Sequence, residues 1–294
     1  MNKKTVSRRI FEAVNALIMI FLMIVTLYPL LYVLFASMSD ANELLKNGGQ
    51  LLYKPVGFTL AAYKMAFKDN SILIGYKNTL IIMAVGIPLS LYLTAVGAYF
   101  LSRKDVMWRN LMAKLIMFTM FFGGGIIPFY LTVKSMKMID TLWALIIPTA
   151  INTYNMIILR TGFDSLPRSL EESAELDGAG HLTILVKIIL PLSKASLAVI
   201  ALYYGVATWN SWFNASIFLQ KGSSRWPLQL VLRQILIENS TDSMSQGTSL
   251  GDKERVAESI KYAVIIISTL PILCVYPFIQ KYFTKGVMIG AVKG

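Results

Sequence analysis

One cysteine, Cys274, and one histidine, His181, are all that 294 residues contain of the two residue types most used for disulfides, soft-metal sites and proton transfer. A single thiol excludes an internal disulfide, and its place inside an apolar run argues against a cysteine metal site. A lone histidine in a loop is ordinarily solvated or packed rather than catalytic. Charge is scarce too: Asp, Glu, Lys and Arg make up 15% of the chain, while hydrophobic residues reach 55%. Soluble domains carry roughly 25% charged residues, so this chain lacks the groups to cover a water-facing surface and belongs in a membrane. No glycine is followed by lysine, which excludes a Walker A phosphate loop, and no His-Glu-x-x-His occurs.

What the sequence does contain is six uncharged windows, at 13 to 39, 78 to 102, 115 to 133, 141 to 159, 195 to 220 and 262 to 280. All 44 charged side chains lie outside them. At a rise of about 1.5 Å per residue each window spans about 28 Å or more as a helix, close to the roughly 30 Å of bilayer hydrocarbon. The runs are continuous rather than alternating, which favours helices over barrel strands. The expected fold is an all-α integral membrane protein in one domain over 1–294. Its transmembrane helices fall at about 13–36, 78–102, 113–133, 141–159, 195–219 and 262–281, with a loop at 162–191 and a tail at 282–294. Lys3, Lys4, Arg8 and Arg9 precede the first run, as in a signal peptide. The run is too long for one and no small-residue cleavage site follows, so an uncleaved first helix is expected.

Six crossings put both termini on one face. Placing them in the cytoplasm gives that face 15 of the 28 basic residues, a bias of the right sign. The net charge of +12 is scattered through the loops, which suits an anionic lipid surface better than nucleic acid. Six of the ten prolines, Pro29, Pro88, Pro128, Pro148, Pro271 and Pro277, lie in the windows, where each removes a backbone donor. Gly123, Gly124 and Gly125 just before Pro128 read either as a hinge or as a close helix crossing. The fifth window holds Trp209, Asn210, Trp212, Phe213 and Asn214, and the fourth Asn152, Tyr154 and Asn155. Tyr154, Asn155, Trp209, Asn210, Trp212 and Asn214 are candidates for a solute pathway, since aromatic faces suit sugar rings and uncharged polar groups in lipid need partners or water. An interfacial aromatic belt with amides joining helices is the alternative. No Asp, Glu, Lys, Arg or His lies in any window, which counts against a proton-coupled carrier, and no catalytic constellation lies at membrane depth, which counts against an intramembrane enzyme.

Between the fourth and fifth windows runs Ser165-Leu-Pro-Arg-Ser-Leu-Glu-Glu-Ser-Ala-Glu-Leu-Asp-Gly-Ala-Gly180. Pro167 suits a first helical turn, Ser165 or Ser169 can cap it, and Glu171 and Glu172 lie where the helix dipole favours anions. Gly178 and Gly180 allow a sharp turn into a second amphipathic helix ending at Pro191. Glu171, Glu172, Glu175 and Asp177 make this helix-turn-helix an acidic projection from a basic protein, shaped as a docking knob.

The spacing Glu172-Ser-Ala174, Gly178, Ile188-Ile-Leu190-Pro191 resembles the EAA loop of permease subunits in binding-protein-dependent ABC importers, with Ser173 in place of an alanine. The resemblance implies a type I ABC importer permease fold in which Glu171, Glu172, Ala174, Asp177, Gly178, Ile188, Leu190 and Pro191 form the cytoplasmic coupling helix that engages an ATPase. The terminal Lys285-Gly-Val-Met-Ile-Gly-Ala-Val-Lys-Gly294 resembles the tail of the second membrane subunit of maltose-type importers. By that likeness Lys285, Gly286, Gly290, Lys293 and Gly294 would contact the ATPase, and Trp209-Asn210 resembles a Trp-Asn pair of the fifth helix. Phe121 to Pro128 is most similar to the subgroup that imports large oligosaccharides and uronides. The implied partners are a second homologous permease, two cytoplasmic ATPase subunits, an extracellular solute-binding protein, an oligosaccharide and membrane lipid. The implied location is the bacterial cytoplasmic membrane. The chain itself would be no enzyme and would hold no cofactor, ATP and magnesium belonging to the ATPases. The competing readings are an ion-coupled secondary carrier and a permease for peptides or metal chelates.

Overall fold

The computed structural model describes the backbone of residues 5–237 and 250–291 and the side chains of residues 5–237 and 257–277; among these the regular structure is entirely helical. The chain divides into two compact units, one from the residues up to Asn70 with Gln234–Pro271, the other from Ser71–Arg233 with the residues after Pro271.

In the first unit, α1 (Val6–Ser37) carries Arg8, Arg9 and Glu12 in its first turns and is largely apolar from Ala13 on, and its side chains from Ala13 to Leu27 are largely uncovered, as on a helix solvated by lipid. Only its end is packed: Ala36 and Ser37 are buried, and Ser37 Oγ lies 2.7 Å from Tyr63 Oη. Tyr28 Oη accepts the Leu52 N–H at 3.0 Å, and Tyr32 meets Tyr262 edge-on at 6.2 Å. Asp40 caps α2 (Ala41–Lys46) by accepting from the Asn42 and Glu43 N–H groups at 2.9 and 3.3 Å, and α3 (Ala61–Ala66) follows.

The second unit begins with α4 (Asn70–Ser102), which starts eight residues before the second uncharged window and carries Lys77 inside it. Next come α5 (Arg109–Phe121), α6 (Ile126–Ser135), α7 (Trp143–Ile146), α8 (Thr153–Asp164), α9 (Ser169–Leu176), α10 (His181–Leu192), α11 (Lys194–Trp209), α12 (Phe213–Phe218) and α13 (Leu228–Ile237). Last in the chain, α14 (Leu250–Ala291) holds the sixth window, its residues up to Pro271 belonging to the first unit and those after it to the second. One cluster joins Ala98 and Tyr99 of α4, Leu159 and Phe163 of α8, Ile184 and Ile189 of α10 and Ile200 of α11. A second joins Ile82, Val133, Ile146, Phe218 and Leu230.

Three helices, Val6–Ser37, Asn70–Ser102 and Ala257–Pro277, are long and apolar enough to cross a bilayer, and two bent pairs raise the number to five. The expectation of unbroken helices therefore needs correction in three windows. The third is broken between α5 and α6 by a bend of 112°. Gly125 there has φ of +82°, a left-handed conformation open to glycine at little cost, and Pro128 lacks a donor, so the triplet is a hinge. The fourth window is not one helix: α7 stops at Ile146 and α8 starts at Thr153, leaving 147–152 unwound. Pro148 cannot donate to the preceding turn, and Asn152 caps α8 by accepting the Asn155 N–H at 3.0 Å. The fifth window ends its first helix at Trp209, where the Asn210 side-chain amide donates to the Val206 carbonyl at 2.9 Å, and α12 resumes at Phe213.

Candidate functional site

The segment after α8 folds as a helix-turn-helix, with two corrections to the expected capping. Ser165 does not cap α9; its hydroxyl donates back to the Gly162 carbonyl at 2.7 Å. Ser169 is already helical, and Arg168 occupies the cap position without a side-chain hydrogen bond. Gly178 has φ of +79°, the left-handed turn that ends α9, and the Ala179 N–H reaches back to the Ala174 carbonyl at 2.9 Å. The second helix passes Pro191 and ends at Leu192, bending by 86° at Ser193 into α11. A π-helical stretch, Leu185–Ile189, precedes Pro191, and the Leu190 N–H bonds the Leu185 carbonyl five residues back. Proline at the next position supplies no donor, which leaves that carbonyl ladder free to widen.

The four acids of the knob split into two pairs. Glu171 and Glu175 turn inward to Arg103, the residue just past the end of α4, through Nη1 and Nη2 respectively. The same guanidinium donates from Nε to Asp105 at 3.2 Å and from Nη1 to Tyr99 Oη at 3.1 Å, and its side chain is only 11% exposed. Burial works against its charge, yet the hydrogen bonds and charges of its acidic partners outweigh burial and raise its pKa above the ordinary arginine value. Asp105 is held below the usual carboxylate range by its own backbone N–H, burial opposing and Arg103 assisting. Glu172 and Asp177 face outward, beside Leu176 at 90% exposure, while Ala174 is half-buried against the core. Ile188 and Leu190 are half-buried on α10, and Pro191 is exposed. Arg103 carries no sequence signal that separates it from other loop arginines, and it was not among the expected residues.

A second feature is a cavity of about 420 Å³ between α4, the unwound stretch 147–152, the start of α8 and α11. Its polar lining comes from Thr79, Ser90, Thr149, Asn152, Asn155, Tyr204, Thr208 and Ser211, with no charged side chain. Tyr204 Oη lies 2.7 Å from Thr94 Oγ1 and accepts the Asn152 N–H at 2.9 Å, which pins the unwound backbone to two helices. Non-helical backbone at membrane depth is tolerated only inside protein or beside a water-filled space, and the cavity beside this stretch offers room for water.

Of the residues singled out for a solute pathway, Asn155 alone lines this cavity. Tyr154 is exposed, and Trp209 is buried edge-on to Tyr76 at 6.1 Å. Asn210 is exposed, Asn214 is half-buried, and Trp212 lies under the Arg233 guanidinium at 4.4 Å from its ring. Single hydroxyls such as Ser90 and Thr208 leave no mark in an apolar run. The tail helix continues through Lys285, Gly286 and Gly290, while Lys293 and Gly294 lie outside the described residues.

A helical membrane chain with an outward acidic turn and an uncharged cavity has the parts of a translocation subunit. Among the described residues no cluster of His, Cys, Asp and Glu is placed to hold a metal. The chain belongs to the family of binding-protein-dependent transport system inner membrane components, whose model matches residues 2–289. It is 42% identical over 290 residues to Protein LplC of Bacillus subtilis, covering 99% of this chain and 97% of that one. It is 40% identical to the polygalacturonan/rhamnogalacturonan transport system permease protein YtcP of the same organism, covering 97% and 99%. The crystal structure of a bacterial ABC transporter that imports the acidic polysaccharide alginate matches with a TM-score of 0.86 at 31% identity, over 96% of this chain and 100% of that one. The chain is thus a membrane-embedded, multi-pass permease component of an ABC importer.

Proposed function

We propose that this chain imports an oligosaccharide as one half of a heterodimeric channel, fed by an extracellular binding protein and driven by two cytoplasmic ATPase subunits. In this reading the six uncharged windows are six crossings, the broken pieces α7 and α8 together making the fourth, and both termini face the cytoplasm. ATP and magnesium are held by the ATPases, and this chain performs no chemistry. The sugar class rests on relatives named for polygalacturonan and alginate transport and on a cavity lined by hydroxyls and amides.

The observation that carries the reading is how the knob is mounted. Arg103 ties α9 to the end of α4, while α8 enters the knob and α10 leaves it for α11. These same three helices, α4, α8 and α11, line the cavity. Ser90 is 13 residues before Arg103, about 20 Å along a helix. When the ATPases close on Glu172, Leu176 and Asp177, the push travels along rigid helices to the cavity walls, and access alternates from one membrane face to the other.

Co-purification tests it. Glu172→Lys is expected to strip the ATPase from the membrane complex and abolish uptake. Retained ATPase with normal uptake of labelled galacturonan oligomers and maltodextrins would remove the knob from the mechanism.

A further inference from the structure

The cavity contains polar side chains that the fold itself does not use, and two of them are on buried residues. Ser90 and Asn155 are 5% and 6% exposed, both line the cavity, and neither side chain has a hydrogen-bond partner among the described residues. Unlike Ser193 Oγ, Trp209 Nε1 and Ser259 Oγ, their polar atoms are not sealed off, so both present their hydrogen-bonding groups to the cavity, where water or an occupant satisfies them. Their neighbours differ: Thr79 accepts the Leu228 N–H, Thr149 donates to the Leu145 carbonyl, and Tyr204 is doubly bonded.

The chemistry of the occupant follows from the lining. The cavity has no carboxylate to hold a divalent cation, and a lipid chain would offer Ser90 and Asn155 no hydrogen-bond partner. A side-chain amide both donates and accepts, as does a serine hydroxyl, and each hydroxyl of a sugar ring does the same. The volume lies within the roughly 300–1,000 Å³ of small-ligand pockets. The start of α8 adds a helix N-terminus at the same wall, where Asn152 caps the Asn155 N–H.

We infer that Ser90 and Asn155 form a glycosyl subsite on this chain, holding the hydroxyls of one sugar unit during passage. This deepens the oligosaccharide reading by placing contacts on this subunit, independently of whatever the partner permease binds. The subsite reads hydroxyls and not carboxylate charge, because no lysine or arginine lines it.

Thiol protection in native membranes, where all partners are present, tests it. With Cys274→Ser as background, Ser90→Cys and Asn155→Cys are each labelled with a water-soluble methanethiosulfonate reagent. Both thiols are expected to react. At least one of trigalacturonic acid, its methyl ester, arabinotriose and maltotriose should slow the reaction at both positions fivefold or more. If a galacturonide protects, its methyl ester should protect equally. Two independent reporters guard against one variant failing to fold. Absence of labelling at both would show that partner side chains or packing fill the cavity. Labelling without protection by any of the four sugars would rule out a glycosyl occupant. Either result overturns the subsite. Labelling and protection are read without ATP, so a failure of ATPase binding would sink the coupling through the knob and leave this result standing.

Discussion

Arg103 is the residue on which the knob's attachment turns. Its side chain is nearly buried and meets two carboxylates of α9, so removing its charge leaves Glu171 and Glu175 facing each other without a cation. Breaking one partner of a buried ion pair costs about 3–5 kcal/mol, and the partial exposure of Glu175 puts this case toward the lower figure. Arg103→Gln is therefore expected to let α9 move without α4. In proteoliposomes of the whole importer, solute taken up per ATP hydrolysed should fall about a hundredfold, each 1.4 kcal/mol of a loss of about 3 kcal/mol being worth one factor of ten. Arg103→Lys should recover only part of it, since an ammonium is a single point charge and cannot fork between two carboxylates. Equal uptake per ATP in wild type and Arg103→Gln would mean that the knob is positioned by α8 and α10 alone. At the same scale, Tyr204→Phe removes the hydroxyl shared by Thr94 and the Asn152 backbone. The buried Thr94 hydroxyl and Asn152 N–H then lose a partner, and the melting temperature of the purified complex should drop, by an amount corresponding to about 1–3 kcal/mol.

At the level of elements, the turn between α9 and α10 depends on Gly178. A side chain at φ of +79° costs about 1–2 kcal/mol, so Gly178→Ala should weaken ATPase capture in a pull-down by roughly five- to thirtyfold. Gly178→Asn should be milder, because asparagine tolerates the left-handed region; equal losses for the two would point to size rather than backbone conformation. This turn was legible in the sequence because glycine spacing, proline and acid placement act locally. The break at Gly123 to Gly125 was half legible, because a glycine triplet before a proline reads equally as a hinge or as a close helix crossing. The unwinding of 147–152 was not, since Pro148 resembles Pro29 and Pro88, which are carried inside unbroken helices. What separates them is tertiary: Tyr204, 52 residues from Asn152, supplies an acceptor that makes the unwound backbone affordable. The two buried cavity groups were half legible, Asn155 as an amide in an apolar window and Ser90 not at all.

For the whole molecule, the open matter is how many times the chain crosses. Windows of uncharged residues give six, whereas helix length and apolarity give three spans, or five with the bent pairs counted as one each. The difference rests on 141–159, where the four residues of α7 and the twelve of α8 are each too short to reach across roughly 30 Å. Together with the unwound stretch they have enough chain, and the cavity beside 147–152 supplies the water or protein that exposed backbone requires. If this segment crosses, Lys137 and Glu172 lie on opposite faces; if it enters and returns, they share one. In the Cys274→Ser background, Lys137→Cys is expected to react with an impermeant maleimide added outside intact cells. Glu172→Cys should react only after the membrane is opened. Lys221→Cys, beyond the broken fifth window, should again be reached from outside. Labelling of Lys137→Cys only from within would reduce the count and place the fourth segment as a re-entrant loop. Outside labelling of Glu172→Cys would be more damaging, because no cytoplasmic ATPase could then touch the one surface of this chain shaped to receive it.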